Sequence, residues 1–346
     1  MKWNELNQRS QNILFYVINE FIKTGEPVGS RTISKKYNIN LSPATIRNIM
    51  ADLEDMGLLT QPHTSAGRVP TKEGLKFYVN SLIDFFKVPD IIKNEIDNFF
   101  NSSEANFQNI LTQITDLLSD ITNYIGIVVS PDIKKLKLKH IEFVRLNDRQ
   151  ILVIVVNELG QVENKIIEVE KDTITQLQLD KLSQYINNKY SGKDLMAIKN
   201  EILKELEYLK NNFNSKISEI VDKFTNIKWE ENAEKEVIVK GLNKLLESDA
   251  VKSDFNQLKN FIKIFEEKSQ LLEILDKTYK SPGIQIYIGS QSPYFEDMSI
   301  ITSPYSKGDT ILGAIGIIGP LRMNYEKIIP LVDYTSKLIS SILEKS

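Results

Sequence analysis

Between Ser42 and Gly57 lies one helix-length segment whose outward residues are suited to reading base pairs. Ser42-Pro43 is a strong helix start, a hydroxyl able to accept an orphan backbone N–H followed by proline at the first helical position. Ile46, Ile49, Met50 and Leu53 recur at helical spacing and make an inner face, leaving Ala44, Thr45, Arg47, Asn48 and Ala51 outward. Arg47 can donate in bidentate fashion to a guanine edge, and Asn48 can pair with an adenine edge. The acidic residues Asp52, Glu54 and Asp55 come only in the later turns, so a helix entering a major groove by its N-terminal end would keep them away from phosphate. Local charge agrees. From Glu26 to Ala51 the cations Arg31, Lys35, Lys36 and Arg47 face one acid, Glu26, within a chain of net charge −3. Downstream, the loop from His63 to Arg68 offers the hydroxyls of Thr64 and Ser65 and the Arg68 guanidinium, groups that contact phosphates or reach into a minor groove.

The surrounding elements have the order that such a surface needs. Leu14, Val17, Ile18, Phe21 and Ile22 form an apolar stripe in a helix from Ser10 to Thr24, which Gly25, Pro27 and Gly29 stop. Ser30 is placed to cap a short helix through Tyr37, and Asn38-Ile39-Asn40 makes a turn into the Ser42 helix. After Gly57, Leu58 to Gln61 reads as a short strand and Pro62 to Gly67 as a hairpin loop. Thr71 then caps a helix whose apolar positions are Leu75, Tyr78, Val79, Leu82 and Phe86. Helix, short helix, turn, capped helix and hairpin is the order of a winged helix-turn-helix.

Beyond it, a helical stretch covers roughly Ile110 to Tyr124. Segments rich in Val and Ile at Gly126 to Ser130, Lys139 to Leu146, Gln150 to Val156 and Val162 to Val169 then predict an antiparallel meander. From about Leu177 to Tyr279 glycine and proline nearly vanish. Ile202, Leu206, Leu209, Phe213, Ile217, Ile220 and Phe224 step by four and three, as in one long amphipathic helix or a helical hairpin. Strand patterns return at Ile284–Ile288, Ser299–Thr302 and Thr310–Ile318, and a last helix spans Tyr325 to Leu343. The expected fold class is α+β and multidomain, with a helical insertion interrupting an α+β domain. The expected boundaries are 1–72 for the winged helix, 73–175 with 280–346 for the α+β domain, and 176–279 for the insertion.

Composition removes most other chemistry. The chain has no cysteine and only two histidines, His63 and His140, far apart in sequence. Thiolate metal sites, disulfides, cysteine nucleophiles and histidine-rich metal centres are therefore not expected, and neither histidine has the context of a catalytic triad. No catalytic, cofactor-binding or metal-binding residue is assigned. Gly313, Gly316 and Gly319 lack the dinucleotide-binding spacing and point to close strand packing. No apolar run approaches the ~18 residues that span a bilayer, and the polar start is unlike a secretory signal. A cytoplasmic protein is expected.

The stretches Glu26-Pro27-Val28-Gly29-Ser30-Arg31-Thr32-Ile33, Ser42-Pro43-Ala44-Thr45-Ile46-Arg47-Asn48 and His63-Thr64-Ser65-Ala66-Gly67-Arg68-Val69-Pro70-Thr71 closely resemble the HrcA family of heat-inducible transcription repressors. Ile315-Gly316-Ile317-Ile318-Gly319-Pro320-Leu321-Arg322-Met323, followed by Tyr325, is similar to that family's C-terminal segment. The departures are mild: Leu75-Lys76-Phe77-Tyr78 stands where tyrosine and arginine would follow the glycine, and Leu321 replaces a more polar residue. The resemblance implies a winged helix-turn-helix, a GAF-like α+β domain, and an insertion that helps dimerisation. It implies binding of a homodimer to the inverted repeat called CIRCE upstream of the groE and dnaK chaperone operons. It also implies a part for the GroEL chaperonin in keeping the repressor active, and it supplies no cofactor. The DNA-contacting set expected on these grounds is Arg31, Ser42, Ala44, Thr45, Arg47, Asn48, His63, Thr64, Ser65 and Arg68. A competing reading is a winged-helix repressor controlled by a small molecule bound in the GAF-like domain; an enzyme with an accessory winged helix is disfavoured by the missing nucleophile and metal constellations.

Overall fold

Asn7 opens the first helix because its side-chain oxygen accepts the backbone N–H of Ser10 at 2.9 Å. In the computed structural model, that helix, α1, runs Gln8–Thr24 and ends at Gly25, whose φ of 76° closes it in the left-handed region. The structure describes residues 6–63, 66–83, 87–102, 107–131, 136–169, 174–194, 197–198, 200–202, 215–225, 237–247, 272, 275, 278, 283–289 and 296–345. The expected apolar positions Leu82, Leu206, Leu209, Phe213 and Phe86 carry side chains outside that description.

Helix α2 spans Ser30–Lys36. Its cap differs from expectation: Gly29 is the N-cap, with no side-chain bond, and Ser30 is already the first helical residue and buried. Helix α3, Pro43–Asp55, begins as its sequence dictates, with Ser42 Oγ accepting from Thr45 N at 3.1 Å and proline in the first turn. Strands β1 (Leu59–Thr60) and β2 (Val69–Pro70) pair antiparallel, Leu59 opposite Pro70 and Thr60 opposite Val69. Helix α4, Lys72–Leu82, is capped by Thr71, whose hydroxyl accepts from Gly74 N at 2.9 Å. Ile13, Leu14, Val17, Ile18, Ile33, Ile46, Met50, Leu53 and Leu59 are all buried in the core these elements enclose.

Two helices follow, α5 (Asp90–Ser102), which the sequence reading did not separate, and α6 (Phe107–Thr122). Strand β3 is Ile125–Val129. Three strands, β4 (Leu138–Arg145), β5 (Gln150–Asn157) and β6 (Val162–Glu168), pair in that order as an antiparallel sheet. Helix α7, Gln176–Tyr190, has a reciprocal cap between Thr175 and Gln178, and α8 spans Ser215–Thr225. Then come β7 (Val237–Lys240), α9 (Leu242–Glu247), β8 (Gln285–Ile288), β9 (Met298–Lys307), β10 (Thr310–Pro320) and α10 (Tyr325–Lys345). Five of these strands form a second antiparallel sheet in the order β7-β3-β10-β9-β8.

Strand membership departs from expectation in two places. The meander 138–168, expected in one domain with the C-terminal strands, has strands that among the described residues pair only with one another. Ile141, Phe143, Ile151, Val153 and Val155 share a core with Leu179, Leu182 and Ile186 of α7 and with Phe224 of α8, from the block read as a separate insertion. Conversely, Val237–Lys240, inside that block, is a strand paired with β3, with Gly126 opposite Lys240 and Val129 opposite Val237. Alternation tells which side chains are buried; it does not tell which strand supplies the hydrogen bonds.

Polar residues of α7 close the free edge of β4. Asn187 accepts from Ile141 N at 2.8 Å and donates to Ile141 O at 2.9 Å. Ser183 Oγ accepts from Phe143 N, and Gln176 Oε1 from Arg145 N. The edge so covered offers no row of unpaired groups to another strand. The opposite face of this sheet leaves Val162 and Ile166 59% and 56% exposed.

In the five-stranded sheet the central strand β10 is buried from Leu312 to Pro320. Its glycines fit the packing reading: a Cβ on Gly316 would strike the Ile301 carbonyl, and one on Gly313 would strike the Tyr305 ring. That ring position lets Tyr305 donate to Val129 O at 2.6 Å.

Candidate nucleic-acid interface

Capping by Ser42 determines which way the α3 residues point. With the first turn fixed, Ile46, Met50 and Leu53 face the core, while Ser42, Ala44, Arg47 and Asn48 are exposed and Thr45 is half-buried. Thr45 Oγ1 lies 2.9 Å from Ser42 Oγ, so the two hydroxyls share one bond at the helix start. Arg47 and Asn48 make no side-chain hydrogen bond or ion pair with the described residues, which leaves both free to meet a ligand. The N-terminal end of α3 presents the positive end of the helix dipole, which favours phosphate. Arg31 is exposed on α2.

Behind this surface, α1 holds α2 in place through a polar tie that the sequence reading missed. Glu20, buried on α1, accepts from Lys36 Nζ at 2.7 Å and from the Tyr37 hydroxyl at 3.2 Å. Tyr37 also stacks on Tyr16 with ring centroids 4.1 Å apart. Burial, and then the Glu20 carboxylate, push the Tyr37 hydroxyl up from 10.0 to about 12, so it stays protonated and keeps donating. The sequence signal for this tie is the i, i+4 spacing of Tyr16 and Glu20 on α1. Lys36 is therefore an element of this tie as much as of the basic surface.

The wing is built from two motifs far apart in the chain. Val28 N donates to Arg68 O and Arg68 N to Val28 O, each at 2.9 Å, which joins the segment before α2 to the base of the hairpin. A Cβ on Gly67 would strike the Val28 carbonyl group, so glycine is required beside that bridge. At the tip, His63 is exposed and Gln61 Nε2 donates to Ala66 O at 2.9 Å. Thr64 and Ser65 lie outside the described residues.

Arg68 is placed differently from its expected outward role. Its side chain is 16% exposed and its Nε lies 2.7 Å from Glu54 Oε2 near the end of α3. The Nε–H does not point along that line, so the contact is an ion pair without a directed hydrogen bond. Glu54, expected from the sequence only to lie away from phosphate, is thus the partner of Arg68. The described residues contain no group of three or more metal-ligating side chains, and no described helix is long and apolar enough to cross a membrane.

A helix-turn-helix with an antiparallel hairpin behind its second helix defines a winged-helix DNA-binding protein. Residues 5–81 match the family model for the winged helix-turn-helix transcription repressor, HrcA DNA-binding, and residues 108–329 match that for the HrcA protein C terminal domain. The chain belongs to the HrcA family. It is 40% identical to the heat-inducible transcription repressor HrcA of Syntrophobacter fumaroxidans, with 99% of each chain covered. Identity to the protein of the same name from Geobacter sulfurreducens is 36%, covering 98% of this chain and 99% of that one. A crystal structure of a hypothetical protein at 2.2 Å resolution has the same overall fold, with a TM-score of 0.66, 22% identity, and 98% and 99% of the two chains covered.

Proposed function

We propose that this chain is a heat-inducible transcription repressor that binds, as a homodimer, an inverted-repeat operator of the CIRCE type ahead of the groE and dnaK operons, in the cytoplasm. The observation that carries the reading is the exposed N-terminal half of α3. There Arg47 and Asn48 stand side by side toward solvent, while Glu54 at the far end is engaged by Arg68. In this account Arg47 and Asn48 read base edges. Ser42, Ala44 and Thr45 approach the backbone at the helix start, Arg31 contacts phosphate from α2, and the tip His63-Thr64-Ser65 reaches the minor groove. Arg68 acts from behind, holding the wing against α3.

The five-stranded sheet with α6 and α10 corresponds to the GAF-like domain that the family resemblance implies. We place the interruption of that domain at about residues 136–225, the three-stranded sheet with its helices. Val162 and Ile166 on the open face of that sheet suit a contact with the same face of a second copy. Two copies then present two α3 helices to the half-sites, at ~34 Å or a multiple of it. Heat lowers the population of this DNA-competent dimer, and GroEL restores it.

The test is a titration of the purified chain against palindromic and scrambled duplexes in low salt. The palindrome should be preferred, and Arg47→Ala should cost ~1–3 kcal/mol on it. Equal affinity for both duplexes refutes the reading.

A further inference from the structure

The winged helix meets the rest of the chain in part through residues 321–326, the connection after β10 and the first turn of α10, and these contacts fall on different parts of the winged-helix unit. Arg322 places its guanidinium where a Cβ on Gly25 would be, against the residue that ends α1. Tyr78, whose side chain is wholly buried on α4, donates to Glu326 Oε1 at 2.6 Å in the first turn of α10. The same hydroxyl lies 3.4 Å from Asn19 Oδ1 on α1, and since it has one proton the shorter bond holds it. A third point is Lys72 at the start of α4, 3.0 Å from Glu296 just before β9. A cleft of about 990 Å³, lined by Phe21, Leu75, Leu321 and Arg322 among others, notches the same interface. Apolar packing is incomplete there, and the polar contacts at its margin resist rotation.

We propose that Tyr78, Glu326 and Arg322 are positioning residues for operator recognition: they fix the angle of the winged helix on the sheet, and hence the separation and phase of the two α3 helices. The inference rests on the palindrome reading above. Two half-sites on one duplex are met together only if both heads already point correctly. A loosened joint leaves each head intact but adds the cost of orienting both at the moment of binding. A single half-site makes no such demand.

Glu326→Met changes an exposed side chain and removes the acceptor that Tyr78 uses while keeping similar length; Tyr78→Phe removes one hydroxyl, and Arg322→Met one guanidinium. Each is compared with the wild-type chain on the palindrome, on palindromes with the half-sites moved apart by a few base pairs, and on an isolated half-site. We expect palindrome affinity to fall about fivefold or more, the dependence on spacing to flatten, and half-site affinity to stay within about twofold, since a bond to a charged group is lost far from DNA. Equal losses on half-site and palindrome would assign these residues to the stability of the winged helix alone and overturn the proposal. So would unchanged affinity and unchanged spacing dependence in Glu326→Met and Arg322→Met, which leave the buried α4 position untouched. A wild-type chain indifferent to the palindrome removes the dimer reading itself, a result distinct from wild-type preference that survives in the variants.

Discussion

Arg68 offers the sharpest test, because a wing arginine is ordinarily a DNA contact and here its side chain lies inward. Removing the Glu54 charge by Glu54→Gln leaves a guanidinium only 16% exposed with its partner's charge gone. Exposed pairs contribute about 0–1 kcal/mol, and breaking a fully buried pair from one side costs about 3–5 kcal/mol. With Glu54 30% exposed and the Nε–H off the contact line, this pair falls low between those limits. We expect a loss of about 1–2 kcal/mol in urea denaturation. Glu73→Gln, which removes a pair whose side chains are 40% and 72% exposed, is the control and should cost less than about 0.5 kcal/mol. A double-mutant cycle with Arg68→Met then isolates the coupling. The second readout is salt: Arg31→Ala, at the proposed phosphate contact, should lower the slope of log affinity against log salt by about one, and Arg68→Met should leave it unchanged. If Arg68→Met keeps full stability and lowers that slope, the side chain leaves Glu54 for phosphate on binding and the clamp argument is wrong.

Three further outcomes are expected. Gly74→Ala would ordinarily gain about 1 kcal/mol of helix propensity, but its Cβ would strike the Leu58 carbonyl, so thermal melting should show a net loss of about 1–3 kcal/mol. Val162→Lys with Ile166→Asp places charges on exposed positions, so folding should hold while sedimentation shows dimerisation weakened at least about tenfold; an unchanged dimer would remove that face from the interface. Burial and neighbouring carboxylates raise Tyr37 and Tyr334 from 10.0 to about 12, and burial raises Tyr78 and Tyr325 as well. The folded state therefore keeps protons that the unfolded state releases. Stability should be unaffected by these groups below pH 10 and fall as pH rises from 10 toward 12. Denaturation midpoints across that range would show it, and Tyr37→Phe should flatten the fall; a rise in stability would contradict the sign.

The local code was legible in the chain. Ser42-Pro43 started α3, Thr71 capped α4, Gly25 ended α1, and the periodicity of Ile46, Met50 and Leu53 set Arg47 and Asn48 outward. These follow from interactions within a few residues, which spacing and residue type express directly. Partnerships between distant segments were decided only in three dimensions: Val28 with Arg68, Arg68 with Glu54, Glu20 with Lys36 and Tyr37, and Tyr78 with Glu326. So was the allotment of strands, in which 138–168 formed its own sheet and Val237–Lys240 joined the other. A strand's alternation records which face is apolar, and many pairings satisfy it equally. What selects one of them is the packing of helices such as α7 against a particular edge, a property of the whole chain rather than of any window within it.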